Sequence, residues 1–117
     1  MGALHNGHLK LVKNSKQRCD ITVVSVYVNP RQFNQTEDFK KYPRHPEKDC
    51  QLLEFAGVDA VFMPLTEADL YPKGLVTPKT IDLQGMDLVM EGTHRPGHFK
   101  AVVEVVYRLF SVVRPHV

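Results

Sequence analysis

The chain has no tryptophan and only two cysteines, Cys19 and Cys50. These lie far apart, without a C-x-x-C spacing, in segments that read as helical, so reduced thiols are expected rather than a disulfide framework. No apolar run approaches the ~18 residues that a membrane span requires. Met1 is followed by Gly-Ala-Leu-His rather than by a basic and then apolar leader, and a cytoplasmic location is expected. Charge of one sign is also scarce. A formal net charge of +2, spread over scattered Lys and Arg, gives no electrostatic ground for binding nucleic acid or a membrane, and small-molecule partners are favoured. Neither G-x-x-x-x-G-K-[ST] nor G-x-G-x-x-G occurs, and no Ser-His-Asp order can be assigned. P-loop, dinucleotide and acyl-enzyme readings therefore have no support.

What is present has the balance of an ordinary globular protein, 43% hydrophobic and 24% charged. The 117 residues suffice for one domain. From Asn6 to Cys19, Leu9, Val12 and Lys16 fall on one side of a short helix. Asp20 to Pro30, DITVVSVYVNP, is a β-branched run that reads as a strand buried on both faces, followed by a loop from Arg31 to Arg44. The unit then recurs. Pro46 to Phe55 forms a helix with Pro46 in its first turn and Gly57 capping its end, and Val58 to Met63 is a short apolar strand. Between Thr66 and Leu88, Pro72, Gly74, Pro78 and Gly85 leave room only for a short helix and short strands. Phe99 to Val113 repeats Val102, Val105, Val106, Leu109 and Val113 at helical spacing until Pro115 stops it. Helix and strand alternating with one polarity predict an α/β fold with a parallel sheet.

Three constellations carry chemistry. In MGALHNGH, Met1 to His8, a His-x-Gly-His opens a helix and sets two imidazoles beside a helix end that favours phosphate, with Gly7 permitting close approach. Two exposed histidines in a frayed end are the alternative, since short His motifs also occur by chance. In VNPRQF, Val28 to Phe33, Gln32 stands at a strand exit and offers an amide to a carboxylate or hydroxyl of a small substrate. A solvated loop residue is the competing reading. Glu37 and Asp38 behind it can hold Mg²⁺ through water, although adjacent acids in a loop are usually just solvated. In EGTHRPGHF, Glu91 to Phe99, Arg95 and His98 can face an anion near the last helix, or His98 can cap that helix while Arg95 pairs with an acid. His94 and His98 have the spacing of a zinc pair, but Pro96 and Gly97 between them argue against one, and no protein metal site is expected.

MGALHNGH, VNPRQF with EDF and YPR behind it, and EGTHRPGHF with a valine-rich helix and RLF after it resemble the pantothenate synthetases in order and spacing, and LYP and VVRP extend the resemblance over essentially the whole chain. It implies a Rossmann-like parallel sheet of the HIGH-type nucleotidyltransferase class. It also implies a ligation in which ATP, with Mg²⁺, activates pantoate as an adenylate that β-alanine then attacks. By position, Met1, Gly2, Ala3, Leu4, His5, Asn6, Gly7 and His8 would line the ATP site. His5 and His8 would be catalytic, with His8 the proton donor. Gln32, Phe33 and Arg95 would serve pantoate and β-alanine. A cytoplasmic homo-oligomer, a dimer in the family, is implied as well. Asn34 and Gln35 stand where the family commonly has Gly and Pro.

Both ends read as interrupted, because a helix of a parallel sheet crosses between two strands. Before Met1 the family has a strand ending in Pro-Thr. After VVRP it has a Gly-Glu-Lys-Asp segment, a second pantoate-binding Gln, a Ser-Ser-Arg loop and a smaller C-terminal domain. The expectation is a partial nucleotide-binding domain over residues 1–117, with the first and later strands and the C-terminal domain absent and little activity alone. Unpaired edges would favour pairing with another chain. The alternatives are an HxGH nucleotidyltransferase of another type and an inactive, ligand-binding fragment.

Overall fold

The structure is a computed structural model that describes residues 2–73 and 97–117. Two compact units are present, one of Met1–Val28, Pro43–Pro64 and Val117, the other of Asn29–Tyr42 and Leu65–His116.

In the first unit, helix α1 (Asn6–Arg18) leads to strand β1 (Val23–Ser25), and helix α3 (Pro46–Phe55) leads to strand β2 (Ala60–Phe62). The strands pair in parallel, with Val23 opposite Ala60, Val24 opposite Val61 and Ser25 opposite Phe62. This is the α/β architecture that the recurring helix and strand predicted. Local signals explain the helix ends. Pro46 occupies the first turn of α3 with Glu47 and Asp49, and Gly57 follows its end at φ 73°, a left-handed conformation that glycine adopts without a Cβ penalty. Lys16 and Arg18 lie in the last turn of α1, where a cation meets the helix dipole favourably.

The core of this unit is Val12 from α1, Val24 and Val26 from β1 and its continuation, and Leu53 from α3, with Leu4, Ala56, Val58 and Met63 packed against it. Leu53 is wholly buried, which contributes about 1.5–3 kcal/mol relative to exposure. Asp59 ties the strand entries together by accepting the Thr22 N–H at 2.8 Å. That hydrogen bond is the main reason its carboxyl is held below its ordinary value, with Lys16 at 3.5 Å adding to it. The strand expected over residues 20–30 is shorter and differs in burial. Val24 and Val26 are buried whereas Ile21 and Val23 are exposed. The cause is that, among the described residues, side chains cover only one face of β1, so the run alternates as a one-sided strand does.

The second unit holds a 3-10 turn at Pro30–Gln32, helix α2 (Thr36–Lys41), a 3-10 turn at Glu67–Asp69 and helix α4 (His98–Val113). Helix α2 and the first turn stand where the sequence predicted a loop. Glu37 and Asp38 lie in the first turn of α2 and Lys40 and Lys41 in its last, so the charges complement the dipole, and Lys40 pairs with Glu37 at 3.3 Å. Helix α4 begins one residue before the expected Phe99, after Gly97 at φ 80°, and ends with Arg114 in the left-handed region just before Pro115. Ala101, Val105 and Arg108 form its buried side. The expected elements in residues 74–88 lie outside the described residues. Both cysteines are free, Cys19 half-buried and Cys50 exposed. No helix among the described residues is long and apolar enough to cross a membrane.

Candidate functional site

The two histidines of the first motif hold each other in place at the start of α1. Nδ1 of His5 accepts the Gly7 N–H at 3.1 Å, and Nδ1 of His8 accepts the His5 N–H at 3.3 Å. This is a reciprocal capping box in which imidazoles do the work usually done by Ser or Thr and by Glu or Gln. The rings lie 4.0 Å apart between centroids, tilted by 43°. A nitrogen that accepts a hydrogen bond carries no proton, so each neutral ring bears its hydrogen on Nε2. The His8 pKa is held below its ordinary value, first by desolvation and then by repulsion from His5 and the amino-terminal charge, while Asp49 works the other way. The pair thus presents Nε2–H donors at the start of a helix, where the helix dipole favours anionic oxygens.

What aims the loop before α1 is an acid that the sequence reading did not single out. The Asp49 carboxylate on α3, 2% exposed, accepts the Ala3 N–H at 3.0 Å and the Leu4 N–H at 2.8 Å. Ala3 has a φ of 49°, a left-handed conformation that an alanine adopts only where its surroundings require it. No periodicity or motif marks Asp49. In the sequence it is one of several acids near a helix start, and only its partners distinguish it.

In the second unit, Asn29 is buried and accepts the Arg31 N–H at 3.2 Å, while its amide nitrogen donates to the Tyr71 hydroxyl at 3.3 Å. That cap winds Pro30–Gln32 into a turn. It also places the Gln32 carbonyl 3.1 Å from Nδ1 of His98, which therefore donates from that nitrogen. Gln32 itself is half-buried. Phe33 packs edge-to-face with Phe39 and Tyr42 at 5.4 and 5.2 Å. Arg31 lies over the Tyr71 ring at 3.8 Å and reaches Glu67 at 2.6 Å and Glu104 at 3.5 Å. Desolvation opposes its charge, but the Glu67 contact more than offsets this and raises its pKa.

The structure therefore brings His5 and His8 together, with Gly2, Ala3, Leu4, Asn6 and Gly7 around them, and it sets Gln32 and Phe33 in the second unit. Met1, His94 and Arg95 lie outside the described residues. His98 is the first residue of α4, and its side chain hydrogen-bonds the Gln32 carbonyl and meets the Phe99 ring edge-to-face at 5.5 Å, with no side-chain hydrogen bond capping the start of the helix at Gly97. Glu37 is paired with Lys40, and no group of three His, Cys, Asp or Glu side chains among the described residues is arranged to hold a metal ion.

Comparison with known proteins matches residues 1–117 to the family model described as pantoate-beta-alanine ligase. A pantothenate synthetase of Acidobacterium capsulatum is 50% identical over 115 residues, which are 98% of this chain and 38% of that protein. One from Idiomarina loihiensis is 49% identical, with 98% of this chain and 41% of that protein covered. Among solved structures, the pantoate-beta-alanine ligase of Francisella tularensis, complexed with beta-gamma ATP and beta-alanine, superposes with a TM-score of 0.86 at 41% identity, over 98% of this chain and 43% of that one. The pantothenate synthetase of Thermus thermophilus gives 0.86 at 45% identity, over 98% and 41%. The chain spans about two fifths of the length of these relatives.

Proposed function

The chain belongs to the pantoate-β-alanine ligase family, and from that premise we propose that it carries the ATP-handling residues and part of the pantoate-handling residues of an AMP-forming ligation. The pantoate carboxylate oxygen attacks the α-phosphorus of MgATP and pyrophosphate leaves. The amine of β-alanine then attacks the acyl carbon, AMP leaves with the bonding electrons and the amine gives up a proton. A carboxylate acylates poorly until it bears such a leaving group, which is what the first step supplies.

The observation that carries this reading is the reciprocal His5–His8 cap. With both Nδ1 atoms engaged by backbone N–H groups, each ring has its Nε2–H left for phosphate oxygens, and positioned donors of this kind stabilise charge that develops during phosphoryl displacement. His8 donates the hydrogen bond of its Nε2–H to the phosphate oxygens in this scheme, and the backbone from Met1 to Gly7 lines the nucleotide. Gln32 binds pantoate and then β-alanine, with Phe33 and Arg95 shaping the pantoate site. Mg²⁺ arrives with the ATP phosphates rather than in a protein cage, which fits its usual mode of binding. A cytoplasmic homo-oligomer completes the reading, and the free thiols of Cys19 and Cys50 suit that compartment.

AMP release in the presence of ATP, Mg²⁺, pantoate and β-alanine tests it, on this chain and on a polypeptide extended to the length of its relatives. The extended protein is expected to require both co-substrates and to lose turnover with His8→Ala. The chain alone is expected to be slower by more than the roughly 10²–10³-fold that removal of one charge-stabilising donor costs. AMP formation that ignores pantoate, or that survives His8→Ala unchanged, would sink the assignment.

A further inference from the structure

Two consecutive backbone N–H groups, those of Ala3 and Leu4, end on the two oxygens of one carboxylate, Oδ2 and Oδ1 of Asp49. The acid comes from α3, remote in sequence, and is almost fully buried. Its charge is met by these backbone donors and by the N-terminal end of its own helix, in whose first turn it lies. The grip falls on the residue whose backbone is least comfortable, Ala3 at φ 49°. Beyond Leu4 the chain enters α1 through His5 in an extended conformation, φ −141° and ψ 176°. That conformation lets the His5 ring fold back on the Gly7 N–H while the His5 N–H reaches His8.

We propose that Asp49 is the positioning residue of the histidine pair: by holding the Ala3 and Leu4 N–H groups it sets the direction in which His5 enters α1, and so keeps both imidazoles in the Nε2–H form. The inference rests on the proposed function only for what those donors face. The lock on the tautomer is a property of the fold and is measured without nucleotide.

Charge and geometry make opposite predictions, which allows the role to be isolated. The groups whose charges act on His8 are His5 on its own element, the amino-terminal charge and Asp49 from α3. If Asp49 acted on His8 only through its charge, Asp49→Asn would remove an attraction for the imidazolium and the His8 pKa would fall further. If Asp49 holds the loop, Asp49→Asn leaves only one acceptor oxygen for two N–H groups. The cap then loosens, Nδ1 becomes free to take a proton, and the His8 pKa rises. One ordinary hydrogen bond to the neutral form corresponds to a rise of about half a unit to one unit.

The experiment is an NMR titration of the His5 and His8 ring nitrogens in the free chain. Wild type is expected to show both rings as Nε2–H. Asp49→Asn is expected to raise the His8 pKa and to mix in the Nδ1–H tautomer. Adding Ala3→Gly to Asp49→Asn, which removes the backbone penalty at residue 3, is expected to restore part of the wild-type tautomer. Asp59→Asn serves as the control, since that carboxylate also accepts a backbone N–H in the same unit but does not touch the loop, and it should leave both histidines unmoved. A folded Asp49→Asn chain with an unchanged or lowered His8 pKa overturns the proposal. Should that variant not fold, amide exchange in the wild type decides: protection of the Ala3 and Leu4 amides comparable to the interior of α3 supports the grip, and exchange at the rate of an open loop overturns it. Because no arm contains ATP, failure here leaves the ligase reading standing, and failure of the ligase assay leaves this one standing.

Discussion

The imidazole of His5 lies over Gly7 so closely that a methyl group on Gly7 would come within 2.9 Å of Cε1 and 3.1 Å of Nδ1 of the ring. The glycine of the His-x-Gly-His motif thus makes room for the first histidine to cap the helix that carries the second. It does so before any ligand is considered.

Gly7→Ala is expected to separate stability from function. A Cβ near the start of α1 gains up to about 1 kcal/mol of helix propensity. The displaced ring loses a cap worth about 0.5–2 kcal/mol. Thermal or denaturant unfolding should therefore move between a gain of about 0.5 and a loss of about 2 kcal/mol, while the His5 tautomer preference, read by NMR, is lost. A variant with an intact His5 tautomer would mean that the ring does not depend on that space.

His8→Gln replaces a titrating acceptor with one that does not titrate. Glutamine at this position of a capping box can still accept the His5 N–H, so stability at pH 7.5 should stay close to wild type. The folded-state pKa of His8 lies below its unfolded value, so the unfolded chain binds more protons between the two. The stability that the neutral ring contributes is full above the unfolded value of about 6.5 and is lost as pH falls through the folded one. Urea unfolding measured from pH 7.5 to 5 should decline less steeply in the variant than in wild type. Parallel curves would assign the acid sensitivity to other groups.

Leu53 and Phe55 are near neighbours on α3 with opposite fates, the first fully buried and the second 94% exposed. Leu53→Ala is expected to cost about 2–5 kcal/mol, as large-to-small changes in a packed core do. Phe55→Ala should stay within about 0.5 kcal/mol. Denaturant midpoints of the two variants check this directly, and equal losses would show that Phe55 is covered.

Asn29→Ala removes both the acceptor that caps the Pro30–Gln32 turn and the donor to Tyr71. Because the residue is buried, a loss of about 1–3 kcal/mol is expected. Asn34→Ala, at an exposed position a few residues on, should stay within about 0.5 kcal/mol. In the extended protein the loosened turn should weaken pantoate use before it affects ATP use, which a comparison of the two KM values would register. An unchanged KM for pantoate would separate the turn from the substrate site.

Much of the architecture is local and was legible. Helix α3 over Pro46–Phe55 follows from a proline at its start and a glycine after its end, and α4 from a 3.6-residue apolar period stopped before Pro115. These signals depend on residues within a few positions of one another, so the sequence by itself determined those helices, the α/β alternation and the motif that carries His5 and His8. It also set the family expectation, through three motifs in fixed order. Helix α2 was missed because its support is charge placement over a single short element rather than apolar periodicity. Only the tertiary structure decided that one face of β1 is buried, that Arg31 lies over Tyr71 with Glu67 and Glu104 beside it, and that Asp49 grips the backbone of Ala3 and Leu4. The reason is physical. A carboxylate in a first helical turn looks the same in sequence whether water or a distant loop supplies its donors, and that choice is made only when chain segments far apart in sequence are folded against each other.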